Sequence, residues 1–249
     1  MEEITLVVPL YNEEHRWDSA YWQEMLQVKD VTWLFVDDGS IDGTHNLASR
    51  FCSTNGAMFL SLQGNMGKAN ALRAGMLHSL RAEPTAVGFI DGDGAFSPRD
   101  VELGVSEFKN KCFDATGRAH YDSVWTSRVA LAGRNIDRRA TRHFLGRAIA
   151  TLIAPGLPEI PYDTQCGFKI FRTCDQLRLS LSAPFHTRWF FDVELLQRWI
   201  EATGEPMRVW EIPLLEWRDV PGSKISGLDA LVVAREIAYV TGKNLRLLK

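Results

Sequence analysis

The chain has 249 residues, 45% of them apolar and 24% charged, with 19 Gly and 10 Pro, and such a chain can bury its own core without staples. That excludes a disordered, collagen-like or repeat-biased protein. A net charge of -3, from 28 basic and 31 acidic residues, excludes a nucleic-acid partner held through a strongly basic whole surface.

The first element in chain order is a buried strand, Ile4 to Val8, entered directly after Met1-Glu2-Glu3. There is no basic leader, so no signal peptide is expected. Further strands are predicted at Trp33–Val36, Ala57–Leu62 and Val87–Ile90, with helical periodicity over 13–28, 43–54 and 67–82. In the third helix Ala69, Leu72, Met76 and Leu80 share one face. Continuously apolar strands alternating with helices predict an α/β fold, a mostly parallel sheet sandwiched by helices. Ser97-Pro98-Arg99-Asp100 reads as a helix start, with Ser as cap and Pro in the first turn. A strand is expected at 123–126, an arginine-rich helix over about 137–154, a strand at 167–171, a helix over 189–203, a strand at 207–213 and a final amphipathic helix over 226–243. The expected organisation is a single domain over 1–249. Its parts are an N-terminal half (1–95), a second half (96–225) completing the same sheet, and a C-terminal helix (226–249). No run reaches about 18 apolar residues, so no membrane-spanning helix is expected. The cysteines Cys52, Cys112, Cys166 and Cys174 form no C-x-x-C pair. A reducing, cytoplasmic setting fits them, and Cys166 is expected to be a packed thiol.

In open α/β sheets ligands bind at the carboxyl ends of the strands, and here each of the first four strands is followed by a polar cluster. Asp91-x-Asp93, flanked by Gly92 and Gly94, offers two carboxylates to a hard cation or a ribose hydroxyl, or is simply an acidic turn. In Asp37-Asp38-Gly39-Ser40-Ile41-Asp42-Gly43-Thr44, one of Asp37 or Asp38 is expected to touch ligand, while Asp42 and Thr44 cap the next helix. Gly64-Asn65-Met66-Gly67-Lys68 puts a Gly-rich turn and a lysine at a helix start, a pattern suited to phosphate, unless Lys68 is a solvated helix residue. It matches neither the P-loop nor the dinucleotide spacing. Arg128, Arg134, Arg138, Arg139, Arg142 and Arg147 crowd 20 residues without a lysine, and exclusive use of Arg suggests forked recognition of phosphate. Arg138 and Arg142 share a helix face. Asp163 to Lys169 is a polar patch before a strand. Asp192, after the aromatic run Trp189-Phe190-Phe191, is either a buried catalytic carboxylate or a helix cap.

Together these motifs resemble the family 2 glycosyltransferases of GT-A fold: Val-Pro-x-Tyr-Asn-Glu, Val-Asp-Asp-Gly-Ser-x-Asp-Gly-Thr, Gly-Asn-x-Gly-Lys, then Asp-x-Asp-Gly-Ala. Ser127-Arg128, the 163–169 block, Arg188-Trp189-x-Phe191-Asp192-Val193-Glu194-Leu195 and Pro221-Gly222-Ser223-Lys224 are similar to the polyprenyl-phosphate branch, its dolichyl-phosphate glucosyltransferases and mannose synthases. Gly94-Ala95 follows the second aspartate, as in the glucosyl branch. The resemblance spans roughly residues 4–240. It implies an inverting, metal-dependent hexosyltransferase that uses Mg²⁺ or Mn²⁺ and a nucleotide-diphosphate sugar of the UDP-glucose or GDP-mannose type, with a polyprenyl or dolichyl phosphate as acceptor. It implies that Pro9, Tyr11 and Glu13 hold the nucleobase and Asp38 the base or ribose. Lys68 lies near base or diphosphate, Asp91 and Asp93 hold ribose and metal, and Asp163 and Gln165 shape the sugar site. Arg128, Arg138 and Arg142 receive the acceptor phosphate. Asp93, Asp163 and Asp192 are the catalytic candidates, Asp163 or Asp192 serving as base if the acceptor is a hydroxyl. A soluble enzyme with a hydroxyl acceptor and a non-catalytic nucleotide-sugar-binding subunit are the alternatives. Peripheral contact with the cytoplasmic membrane face would fall to the 226–249 helix, whose apolar face is otherwise expected to pack on the sheet.

Overall fold

Seven strands build the central sheet. In the computed structural model, which describes residues 3–114, 116–137, 160–218 and 229–247 together with Thr151, Ile153 and Leu157, the strands are β1 (Ile4–Leu10), β2 (Val31–Asp37), β3 (Met58–Ser61), β4 (Ala86–Ile90), β5 (Ser123–Ser127), β7 (Phe168–Arg172) and β8 (Val209–Pro213). Their order is β3-β2-β1-β4-β7-β5-β8. Six run in one direction and β7 runs against them, antiparallel to both β4 and β5. A parallel pair, β6 (Asn135–Asp137) and β9 (Glu216–Arg218), forms a second, small sheet.

The pleat sends alternate side chains to opposite faces. On one face Leu6, Val8, Phe35, Ile90 and Ile170 pack with Trp22 and Met25 of α1 (Ser19–Met25), Phe51 of α2 (Thr44–Asn55) and Val101 and Phe108 of α4 (Pro98–Lys111). On the other, Val7, Val36, Phe89, Trp125 and Phe171 meet Leu72 and Met76 of α3 (Lys68–Ser79), Leu177 of α5 (Asp175–Ser180) and Leu195 and Trp199 of α6 (Phe191–Thr203). Ala69, Leu72, Met76 and Leu80 are all buried together, as their spacing predicts. Ser97 and Asp100 form a reciprocal capping box with Pro98 at the start of α4, which satisfies two otherwise orphaned N–H groups.

Several expectations need correction. The first helix is shorter than 13–28, because Asn12 takes a left-handed φ of 51° and Asp18, accepting from Ala20 and Tyr21 N–H, caps α1. Asp137 closes a strand instead of opening a helix. Arg138, Arg139, Arg142 and Arg147, with most of the expected arginine-rich helix, lie outside the described residues, as does Pro221-Gly222-Ser223-Lys224. The C-terminal helix α7 (Asp229–Leu247) packs not on the sheet but on α6: Val240 is buried with Phe190, Val193, Ile153 and Leu157. Buried Asn244 donates to Ile153 O and accepts from Gln197. Among the described residues no helix is long and apolar enough to cross a membrane.

Candidate active site

The polar clusters after β1 and β2 interlock. Asn12 N–H donates to Ser40 Oγ (3.0 Å), and Ile41 N–H to Asn12 Oδ1 (3.0 Å). Glu13 N–H donates to Thr44 Oγ1 (2.7 Å), and the Glu13 carboxylate takes Arg16 Nη2 (2.6 Å). Asp42 accepts from Thr44 and Glu14 N–H, so it braces the turn; α2 has Gly43 at its N-cap and no side-chain cap, and the Thr44 hydroxyl is turned to Glu13 instead of capping it. Asp37 is spent on Ser40 N–H and His45 Nδ1. Asp38, also buried, accepts from Met66 N–H at 2.7 Å, and burial holds its carboxyl above the usual range. Gly39 makes this possible: its φ is +68° and a Cβ there would lie 2.6 Å from the Gly64 backbone, so only glycine lets the β2 turn press against the Gly64–Gly67 turn. Pro9 is the penultimate residue of β1, opposite Val36, and half-buried Tyr11 follows the strand.

Because β7 is antiparallel, the turn before it, 163–167, arrives at the same end of the sheet as the residues after β4. Asp91 N–H donates to Gly167 O (2.9 Å), and a Cβ on Gly167 would sit 2.2 Å from Asp91 Cγ. The missing side chain is therefore the space the Asp91 carboxylate occupies. Lys68 Nζ lies 2.6 Å from Asp91 Oδ1, in an ion pair that gives this sheltered oxygen no aligned hydrogen bond. Asp93 accepts from Ala95 N–H (3.2 Å). Burial, and then the neighbouring Asp91 charge, push the Asp93 carboxyl up to about 6. Two carboxylates with a cation between strand and helix form an oxygen-donor pair of the kind Mg²⁺ and Mn²⁺ take together with phosphate oxygens. Among the described residues no cluster of three or more His, Cys, Asp or Glu side chains offers a metal a complete protein cage, so phosphate oxygens would have to supply the rest.

Asp163 and Arg128 are brought onto each other. Arg128 Nε and Nη2 donate to the two Asp163 oxygens at 2.7 Å each, and Arg128 N–H adds a third bond at 3.1 Å. The Arg128 guanidinium lies over the Trp217 ring of β9. Asp163 and Tyr162 N–H are anchored on Glu211 of β8. Gln165 Nε2 is sheltered without a hydrogen-bond partner, a donor left for something else. Cys166 is a buried thiol 3.1 Å from Thr126 Oγ1, pushed up to about 11, chiefly by burial, and is inert.

Asp192 is buried in the first turn of α6 but does not cap it. Its Oδ1 takes Lys169 Nζ at 2.6 Å, inside the protein. In the sequence Lys169 reads only as the polar tail of the 163–169 block. The signal that would have found it is its parity: it falls on an inward position of an apolar strand. Arg188, which opens the Arg188-Trp189-x-Phe191 motif, also reaches the site. Its guanidinium Nε would be 3.8 Å from a Cβ on Gly67, and Glu236 of α7 fixes its backbone.

A family model described as "Glycosyl transferase family 2" matches residues 5–157. The chain is 33% identical over 243 residues to the dolichyl-phosphate beta-glucosyltransferase ALG5D of Trichomonas vaginalis, covering 92% of this chain and 71% of that protein. It is 30% identical over 272 residues to the dolichyl-phosphate beta-glucosyltransferase of Homo sapiens, covering 97% and 77%. In fold it is similar to glucosyl-3-phosphoglycerate synthase from Mycobacterium tuberculosis, solved with Mn²⁺, UDP and glucosyl-3-phosphoglycerate (TM-score 0.61, 20% identity, 97% of this chain and 80% of that one). It is also similar to mannosyl-3-phosphoglycerate synthase from Rubrobacter xylanophilus (TM-score 0.64, 16% identity, 98% and 74%).

Proposed function

The chain belongs to glycosyl transferase family 2, and we propose that it transfers glucose, with inversion, from a nucleoside-diphosphate glucose to a polyprenyl phosphate. The observation that carries this reading is the meeting of Asp91, Asp93 and Lys68 with the Gly167 turn and the Arg128–Asp163 pair at one end of the sheet. Kinship with dolichyl-phosphate glucosyltransferases supports the choice of sugar and acceptor.

In this reading Pro9, Tyr11 and Glu13 receive the base and Asp38 the base or ribose. The diphosphate lies toward Lys68, and Asp91 and Asp93 hold Mg²⁺ or Mn²⁺. The sheltered Asp91 oxygen, left without an aligned hydrogen bond, fits that ion. A bound divalent ion offsets the charge that builds on a leaving diphosphate. Gln165, with its unpartnered amide donor, and Asp192 face the sugar. Arg128 Nη1 makes no hydrogen bond among the described residues and is left for an acceptor phosphate oxygen, with Arg138 and Arg142 as further phosphate ligands, which lines the nucleophile up for in-line attack. Asp163 has both oxygens on Arg128 and is badly placed to take a proton. That favours an acceptor already ionised: a phosphate monoester has its second pKa near about 6 and needs no strong base. The lipid acceptor calls for a membrane surface. Leu231 and Leu245 of α7, 76% and 51% exposed, are suited to peripheral contact at the cytoplasmic face.

The test is transfer from UDP-glucose and GDP-mannose to a short polyprenyl phosphate in detergent, with Mg²⁺ or Mn²⁺ and again with EDTA. A metal-dependent, solvent-extractable glucosylated lipid is expected. Transfer to hydroxyl acceptors and none to the lipid phosphate would overturn the proposal.

A further inference from the structure

We propose that Lys169 is a positioning residue for the transfer reaction, its buried ammonium holding the Asp192 carboxylate against the donor sugar. The inference rests on the reading above. On β7, Phe168 and Ile170 enter one core layer, while Lys169 and Phe171 face the other. Every neighbour of Lys169 across the strands is aromatic: its register partners are Phe89 and Trp125, and its Nζ lies 4.4 Å from the Trp125 ring centroid and 5.3 Å from that of Phe89. The residue is 1% exposed.

An ammonium in such a layer is costly unless all its donors are met. Here they are, by Thr164 O (2.8 Å), Cys166 O (2.9 Å) and Asp192 Oδ1 (2.6 Å), which uses all three protons. Two acceptors belong to the turn that carries Asp163, Gln165 and Gly167, and the third opens α6. One side chain thus ties the Asp91-binding turn to the helix that presents Asp192, across 23 residues of sequence. Stability does not explain it, since replacing a buried ion pair by well-packed apolar residues is often neutral or stabilising. A local rule broken inside a core marks function. Lys169 holds Oδ1, while Oδ2 of Asp192 makes no hydrogen bond among the described residues and is left to accept a hexose hydroxyl.

The full chain is compared as wild type, Asp192→Asn, Lys169→Met and the double variant, reading melting temperature, UDP affinity by tryptophan fluorescence, and kcat and KM of transfer. If Lys169 acts through Asp192, the two losses are not additive. Asp192→Asn and Lys169→Met each lower kcat by about thirty-fold or more, UDP affinity stays within about two-fold, and the double variant is within about three-fold of Asp192→Asn. The double variant, which removes both charges, melts close to wild type. The proposal is overturned if Lys169→Met turns over like wild type, or if Asp192→Asn does. It is equally overturned if the double variant falls about ten-fold or more below Asp192→Asn, or if UDP affinity falls in step with kcat. Should Lys169→Met not fold, the comparison of Asp192→Asn with the double variant still decides. A wild type inactive toward polyprenyl phosphate overturns the earlier reading instead, and the same variants are then compared in metal-dependent donor hydrolysis.

Discussion

Asp93 sets stability against chemistry in a way that can be measured. Its carboxyl is pushed from the ordinary 3.8 up to about 6 by burial and then by the Asp91 charge. The folded protein therefore keeps this proton to higher pH than the unfolded chain does. Between about pH 4 and 6 the native state binds more protons, so stability falls as pH rises. The cost is complete above the folded value and absent below the unfolded one. Each tenfold change in proton affinity is about 1.4 kcal/mol, so the full cost at neutral pH is up to about 3 kcal/mol, an upper bound because Asp91 shares the titration. Asp93→Asn keeps the shape and the acceptor for Ala95 N–H but not the charge. In EDTA at pH 7.5 its melting temperature should rise by at most about 6–12 °C, from about 2–4 °C per kcal/mol for a chain of this size. The gain should shrink to about 1–2 °C at pH 4. Transfer should fall by about a hundred-fold or more as the diphosphate loses a ligand to its counter-ion. An unchanged or lower melting temperature at pH 7.5, or an equal gain at pH 4, refutes the electrostatic reasoning. Substantial metal-dependent turnover refutes the metal assignment.

Other outcomes follow from the same contacts. Gly167→Ala places a Cβ 2.2 Å from Asp91 Cγ and should raise the donor KM at least about ten-fold, because a core that cannot yield transmits the clash to the carboxylate. An unchanged KM would show that the turn gives way. Arg128→Ala strands a buried Asp163 and should cost up to about 3–5 kcal/mol by chemical denaturation, while Arg128→Lys recovers only part because it lacks the fork. Wild-type stability for the Ala variant would dismiss the pair as a structural clamp. Arg138→Ala with Arg142→Ala should raise the acceptor KM more than the donor KM, and equal effects would remove both residues from the acceptor site.

Much of this molecule is local in origin and therefore legible in the chain. Apolar runs such as Ile4–Val8 and Val87–Ile90 become strands because each buries both faces, and Ser97, Pro98 and Asp100 start a helix because their chemistry meets orphaned N–H groups within one turn. Polar residues after apolar strands marked Asp38, Lys68, Asp91 and Asp93, since a parallel sheet exposes those ends together. What the sequence could not decide is the direction of β7. Reversing that one strand carries the 163–167 turn to Asp91, joins Arg128 to Asp163 and turns Lys169 inward onto Asp192. These contacts span 23 to 76 residues of sequence, so no spacing rule records them: they exist only where the sheet closes around them.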